Sequence, residues 1–230
     1  CILCRGPQEA QGTVGTLRYR VFSEPVMHRY PKDLEELFRQ ELSSFRPQVI
    51  HIWGTEYGHT LAMVNQCRDL GLLDHTLISI QGLCGIYARH YAEGLPDGLV
   101  HRFSPRDLLR LDNISFQRKR YIQRGKMEVQ ALALSRHVIG RTPWDRACTQ
   151  LLAPTAQYHF CNETLRQDFY SGSWAYERCV PHRIFVSSAA IPIKGFHYLL
   201  EALPVILRQY PDTTVCVPGP DIFHTTGKAR

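Results

Sequence analysis

The feature that most constrains this chain is a recurrence of short apolar runs, each followed by a stretch with helical spacing. QVIHIWG closes on Gly54, and the pattern from His59 to Leu70 after it has helical periodicity. HTLISIQG (75–82) and HVIGRT (137–142) repeat the strand signal. Upstream, LRYRVF (17–22) is built of strand-type residues, and KDLEELFRQELSSF places Leu34, Leu37, Phe38, Leu42 and Phe45 at helical spacing before Pro47 stops it. Apolar strands alternating with helices predict an α/β domain with a parallel sheet and helices on both faces.

Between the strands at 75–82 and 137–142 lies a long departure punctuated by Gly94-Leu95-Pro96. From about Pro105 onward Leu108, Leu109, Leu111, Ile114, Tyr121, Met127 and Leu132 follow helical spacing. It reads as a helical insertion over the carboxyl edge of the sheet, where open α/β folds bind ligands. Near Pro181 the composition changes. Strand IFVSS, a loop, a helix from about Gly195 to Tyr210 and strand TVCVPG then form one βαβ unit. The expected division is a first domain over 1–181 and, over 182–230, the start of a second α/β domain. Cys1 at the start and TTGKAR near the end make the chain read as a piece of a longer one.

Hydrophobic residues make up 44% and charged residues 21%, which excludes disorder as the main state. No run of 18 or more apolar residues occurs, and CILCRGPQEA lacks the basic end and apolar stretch of a signal peptide, so a membrane-spanning protein is not expected. The eight cysteines are scattered and read as reduced thiols; Cys1 and Cys4 have half of a zinc spacing without a second pair, so no metal is expected.

The formal net charge of +6 favours anionic partners. Seven basic residues (Arg102, Arg106, Arg110, Arg118, Lys119, Arg120, Arg124) face two acidic ones, Asp107 and Asp112, between 102 and 124. The basic helices around Arg118, Lys119 and Arg120 suit an anionic membrane surface, a soluble anionic glycan, or simply a solvated face. No recognised nucleic-acid motif accompanies them, and no strand is followed by GxGxxG, which sets aside a nucleic-acid binder and a dehydrogenase.

Several candidates follow strands directly and so belong at the ligand edge of a parallel sheet. Gly54 allows close approach, Thr55 and Glu56 offer hydroxyl and carboxylate partners for a polar ligand, and His59 can relay a proton; the plain alternative is a helix start capped by Thr55 with Glu56 in its first turn. Arg141 is a candidate phosphate contact ahead of Thr142-Pro143. Asn162 and Glu163 read equally as cleft residues or as a surface turn.

The order and spacing of HIWGTEYGHT, SIQGL, HVIGRTPWDRA and YHFCNETLRQDFY, together with Lys194-Gly195 before a helix carrying Leu199, Leu200, Ala202 and Leu203, resemble family 4 glycosyltransferases of the bacterial surface-polysaccharide type. That resemblance implies GT-B architecture, with an acceptor-side Rossmann-like domain and a donor-side domain. It implies a retaining hexosyl transfer from a nucleotide diphosphate sugar to a saccharide or lipid-linked acceptor, without a cofactor or an obligatory metal. The setting it implies is cytoplasmic, at the inner membrane face. Lys194 would hold the donor diphosphate, with Gly195 and Ser188 beside it; the family's Arg before this Lys is replaced by Ser187-Ser188. Gln81 stands where many relatives carry His, and with Gly82 it would meet the acceptor; Gln can donate and accept but cannot act as a general base. The competing reading is a non-catalytic glycan-binding fragment, because one βαβ unit alone would not complete a donor site.

Overall fold

The computed structural model describes residues 1–24, 26–105, 107 and 113–219. Arg106, Leu108, Leu109, Arg110, Leu111 and Asp112, part of the expected basic and helical stretch, lie outside these residues. The chain divides into two compact units, one from Cys1–Arg89 and Gln117–Glu163, the other from His90–Phe116 and Thr164–Arg230. Pro181, the expected domain boundary, falls inside the second unit.

The first unit opens with a three-stranded sheet that the sequence reading did not anticipate. Strands β1 (Ile2–Arg5), β2 (Ala10–Val14) and β3 (Leu17–Phe22) are ordered β1-β3-β2. LRYRVF is therefore a strand, but it is not part of the parallel sheet. The cause is local: Gly15 at φ 58° starts a two-residue turn that pairs Val14 with Leu17, and β2 and β3 zip together antiparallel.

Helix α1 (Leu34–Phe45) leads into the parallel sheet of β4 (Ile50–Trp53), β5 (Thr76–Ser79), β6 (His137–Gly140) and β7 (Gln157–Phe160), in that spatial order. Helix α2 (Gly58–Asp69) joins β4 to β5. Helices α3 (Cys84–His90), α4 (Asp97–Val100) and α5 (Ile114–Leu134) occupy the departure between β5 and β6, and α6 (Pro143–Leu152) joins β6 to β7.

Ile52, Ile78 and Val138 stand in register on one face, where they join buried residues of α1, α2, α5 and α6 in the core. Phe38 of α1 meets Phe22 edge to face at 5.4 Å there. The opposite face is open: His51 and Trp53 are exposed, and Trp53 keeps 58% of its surface. Helices on both faces were expected, and among the described residues one face is covered. Four consecutive strands laid down in one direction explain this, because right-handed crossovers between them put every connecting helix on the same side.

In the second unit β8 (Arg183–Phe185) and β9 (Thr214–Cys216) pair in parallel across helix α8 (Phe196–Gln209), which forms the expected βαβ unit. A short helix, α7 (Asp168–Ser171), precedes them. No helix of the described residues is long and apolar enough to cross a membrane.

Candidate functional site

The carboxyl ends of β4 and β5 are fastened to each other before any ligand-facing group is considered. The Gly54 amide donates to the Ser79 carbonyl at 2.9 Å, and the Thr60 hydroxyl donates to the Gly54 carbonyl at 2.8 Å. Gly54 has φ 93°, and a Cβ there would stand 2.5 Å from Glu56 Oε2 and 3.8 Å from Gln81 Cγ. The backbone at this edge therefore needs glycine. The side chains of Glu56 and Gln81 both border the space that a Cβ at Gly54 would take, at the ends of adjacent strands.

Glu56 Oε2 is buried and has no hydrogen-bond partner among the described residues. A buried carboxylate oxygen without a donor is costly, so it favours a ligand that brings one. Gly82 lies under the Tyr87 ring, where a Cβ would come within 2.8 Å of it, and Tyr87 stacks in turn on Trp144 with centroids 6.5 Å apart. Burial, then Glu56 and Asp145, raises the Tyr87 phenol above its ordinary range, so it stays a neutral donor.

Thr55 is not a helix cap. Tyr57 occupies that position, and the Thr55 hydroxyl lies 2.7 Å from Glu128 Oε1 and 2.9 Å from the Gly82 carbonyl, fully buried. Glu128, on α5, also accepts from the backbone amides of Cys84 and Gly85 at 3.1 and 3.0 Å. One carboxylate thus ties α5 to the β4 loop and to the start of α3. Burial raises its pKa, while the three donors pull in the other direction. The neighbouring Cys84 thiol is pushed up to about 12, chiefly by burial, and is no nucleophile.

His59 sits in the first turn of α2 and is held by Glu24. Its Nδ1 lies 2.6 Å from Glu24 Oε2, its backbone amide donates to Glu24 Oε1 at 3.2 Å, and its ring stacks on Tyr57. A carboxylate acceptor fixes the proton on Nδ1 and leaves Nε2 as the basic nitrogen. His59 also helps to wall an apolar pocket of about 540 Å³ with Phe22, Phe38, Ile52, Trp53 and Met63.

Arg141 and Glu163, from the ends of β6 and β7, are paired with each other at 2.7 Å. The Arg141 amide donates to Asp145, which closes a capping box with Thr142 at the start of α6. The guanidinium charge expected to meet a phosphate is therefore already partnered. Asn162 is exposed between them and the end of β7.

In the second unit Lys194 ends a single 3-10 turn and is exposed, without an ion pair among the described residues. Gly195, at φ 74°, is the N-cap of α8 and supplies no side chain, so the first amides of α8 lack a side-chain cap. Ser188 is half-buried in the loop after β8. In the first unit, Arg118 and Lys119 are exposed on α5, and Arg118 Nε donates to the Ala88 carbonyl at 2.9 Å.

Glu24, Glu128, Tyr57 and Tyr87 were missed by the sequence reading, and Arg124 was read only as one of the basic residues between 102 and 124. Glu24 follows the strand LRYRVF as Glu56 follows IHIW, so the rule that singled out one carboxylate also reaches the other. Glu128 lies three and four residues from Gly125, Ala131 and Leu132, and a carboxylate on an apolar helical stripe is a signal in itself.

Among the described residues no group of three or more His, Cys, Asp or Glu side chains is placed to hold a metal ion. Comparison of the chain with protein-family models, with curated proteins and with solved structures returned no match.

Proposed function

We propose that the chain belongs to a retaining glycosyltransferase moving a hexosyl unit from a nucleotide diphosphate sugar to a saccharide or lipid-linked acceptor, with acceptor contacts in the first unit and a donor phosphate contact in the second. The observation that carries this reading is that Glu56 and Gln81 both border Gly54 at the ends of adjacent parallel strands, with Glu56 Oε2 buried and lacking a donor among the described residues. A sugar hydroxyl supplies that donor, and the Gln81 amide orients a second hydroxyl by donating and accepting. His59, with Nδ1 held by Glu24, offers Nε2 as a proton acceptor. In the second unit, the exposed Lys194 and the uncapped start of α8 suit a diphosphate. Transfer would then rest on positioning and on stabilising the leaving phosphate.

Calorimetric titration with UDP, GDP and their sugars tests the donor half. Lys194→Ala is expected to weaken donor affinity roughly tenfold, as loss of one charge-assisted contact does. Unchanged affinity would remove the donor assignment. Glu56→Gln is expected to lower sugar transfer while leaving donor affinity intact.

One observation favours the second reading, a non-catalytic glycan-binding module. The Tyr87–Trp144 stack beside Gly82 leaves Trp144 44% exposed, a surface on which a sugar ring can lie. Glycan binding that needs Trp144, with no transfer from any nucleotide sugar, would favour it.

A further inference from the structure

Beside the Glu56 edge, the first unit gathers several basic side chains. Arg5 ends β1, His28 and Arg29 lie on the loop between β3 and α1, and Arg120 and Arg124 are one turn apart on α5. Tyr57 is the common support: the Arg5 guanidinium carbon is 5.0 Å from its ring centroid and that of Arg124 is 4.8 Å away. Arg124 is fixed further by the Tyr121 ring at 5.0 Å and by donating from Nε to the Glu56 carbonyl.

The loop carrying His28 and Arg29 is pressed onto the start of α2. A Cβ on Gly58 would stand 2.5 Å from the Arg29 carbonyl and 2.8 Å from Pro31, so the backbones are in direct contact. Burial, then Arg120, Arg29 and Arg124, lowers the His28 pKa, which places these guanidinium groups within electrostatic range of one imidazole. The loop's own carboxylate, Glu24, spends both oxygens on His59. Arg5, Arg29 and Arg124 make no ion pair with any described residue.

Like charges drawn together cost folding energy unless an anion joins them. Guanidinium groups laid against a tyrosine ring are held in orientation, and their planar forks match phosphoryl oxygens two at a time. We propose that Arg5 and Arg124, both laid against the Tyr57 ring, together with His28 and Arg29 on the adjoining loop, form a binding site for a phosphate or diphosphate ester. Calling that ligand the phosphorylated acceptor rests on the transferase reading; the anion site itself does not.

The test is titration of the full chain with inorganic pyrophosphate at low ionic strength, in a Lys194→Ala background that silences the second-unit loop. Saturable binding is expected, weakened about tenfold by Arg5→Gln and by Arg29→Gln. Both residues are exposed, so the variants should fold. Arg118→Gln, equally basic but placed against α3, should leave binding unchanged. No saturable binding, or equal loss in Arg118→Gln, would overturn the site. So would pyrophosphate binding that is present with Lys194 and vanishes in the Lys194→Ala background, an outcome that leaves the donor assignment standing.

Two further ligands locate the source. Response of glucose 1-phosphate binding to the Arg5 and Arg29 variants identifies a soluble phosphosugar, and response of phosphatidylglycerol vesicle sedimentation identifies a lipid headgroup; either upholds the site. Tighter binding of a single-stranded oligonucleotide, lost in the same variants, would overturn it in favour of nucleic acid.

Discussion

The parallel sheet of the first unit and the βαβ element of the second are made from the same kinds of residue, yet they bury them very differently. Phe38 on α1 retains 1% of its surface, whereas Phe185 on β8 retains 69%. No residue of α8 is buried, and its Leu200 and Val205 keep 49% and 61% of their surface. Four strands with helices on one face enclose a core; two strands and one helix do not. A site that depends on fixed geometry is therefore better founded in the first unit, where buried carboxylates hold the loops.

That contrast can be broken by mutation. The largest effect is expected for Phe38→Ala, which should cost about 3–5 kcal/mol in urea denaturation, against less than about 1 kcal/mol for Phe185→Ala. Similar losses at the two positions would mean that the second unit has a core of its own. Next in size is Glu128→Gln. Its new amide group would face a backbone donor where a carboxylate oxygen now accepts, and about 1–3 kcal/mol should be lost. A neutral result would show that the carboxylate does not hold α3 and α5 to the β4 loop.

The smallest effect is in pH. His28 and His51 both have pKa values lowered below the usual histidine value, His28 by burial and the neighbouring arginines, His51 by burial. Folding favours their neutral forms, so their contribution is full above the unfolded value of about 6.5 and is lost as pH falls through the lower folded values. Glu128 has the opposite sign. Its raised pKa adds stability below the unfolded carboxyl value and removes it as pH rises through the folded one. Denaturation curves between pH 7 and pH 5 should show falling stability, and His28→Gln should flatten that slope. An unchanged slope would mean that His28 is not held in the basic cluster.

Most of the regular elements were legible because their cause is local. IHIW and TLIS are short apolar runs bounded by turns, and Thr142-Pro143 marks a helix start that the structure places at Pro143. The three-stranded sheet was not, because β1 is only four residues long, β2 carries Gln11, Gly12 and Thr13 in place of a strand pattern, and the pairing relies on β3 and the turn at Gly15. The candidate site divides in the same way. Glu56 follows a strand and was found by position, and Gln81 was found through the family resemblance; Glu128 acts from 73 residues beyond Thr55, and no spacing rule spans that distance. Arg141 was found, but its pairing with Glu163 depends on two strand ends being neighbours.

Gly58 bears on how freely such a chain can vary. Its missing side chain is the space in which the Arg29 carbonyl, Pro31 and Glu24 Oε1 all lie. Any replacement there displaces at once the loop that carries two basic groups and the carboxylate that orients His59. Position 58 thus acts as a bottleneck for sequence drift: a lineage could exchange the surrounding arginines one at a time, but a change at this glycine would uncouple both neighbourhoods in a single step.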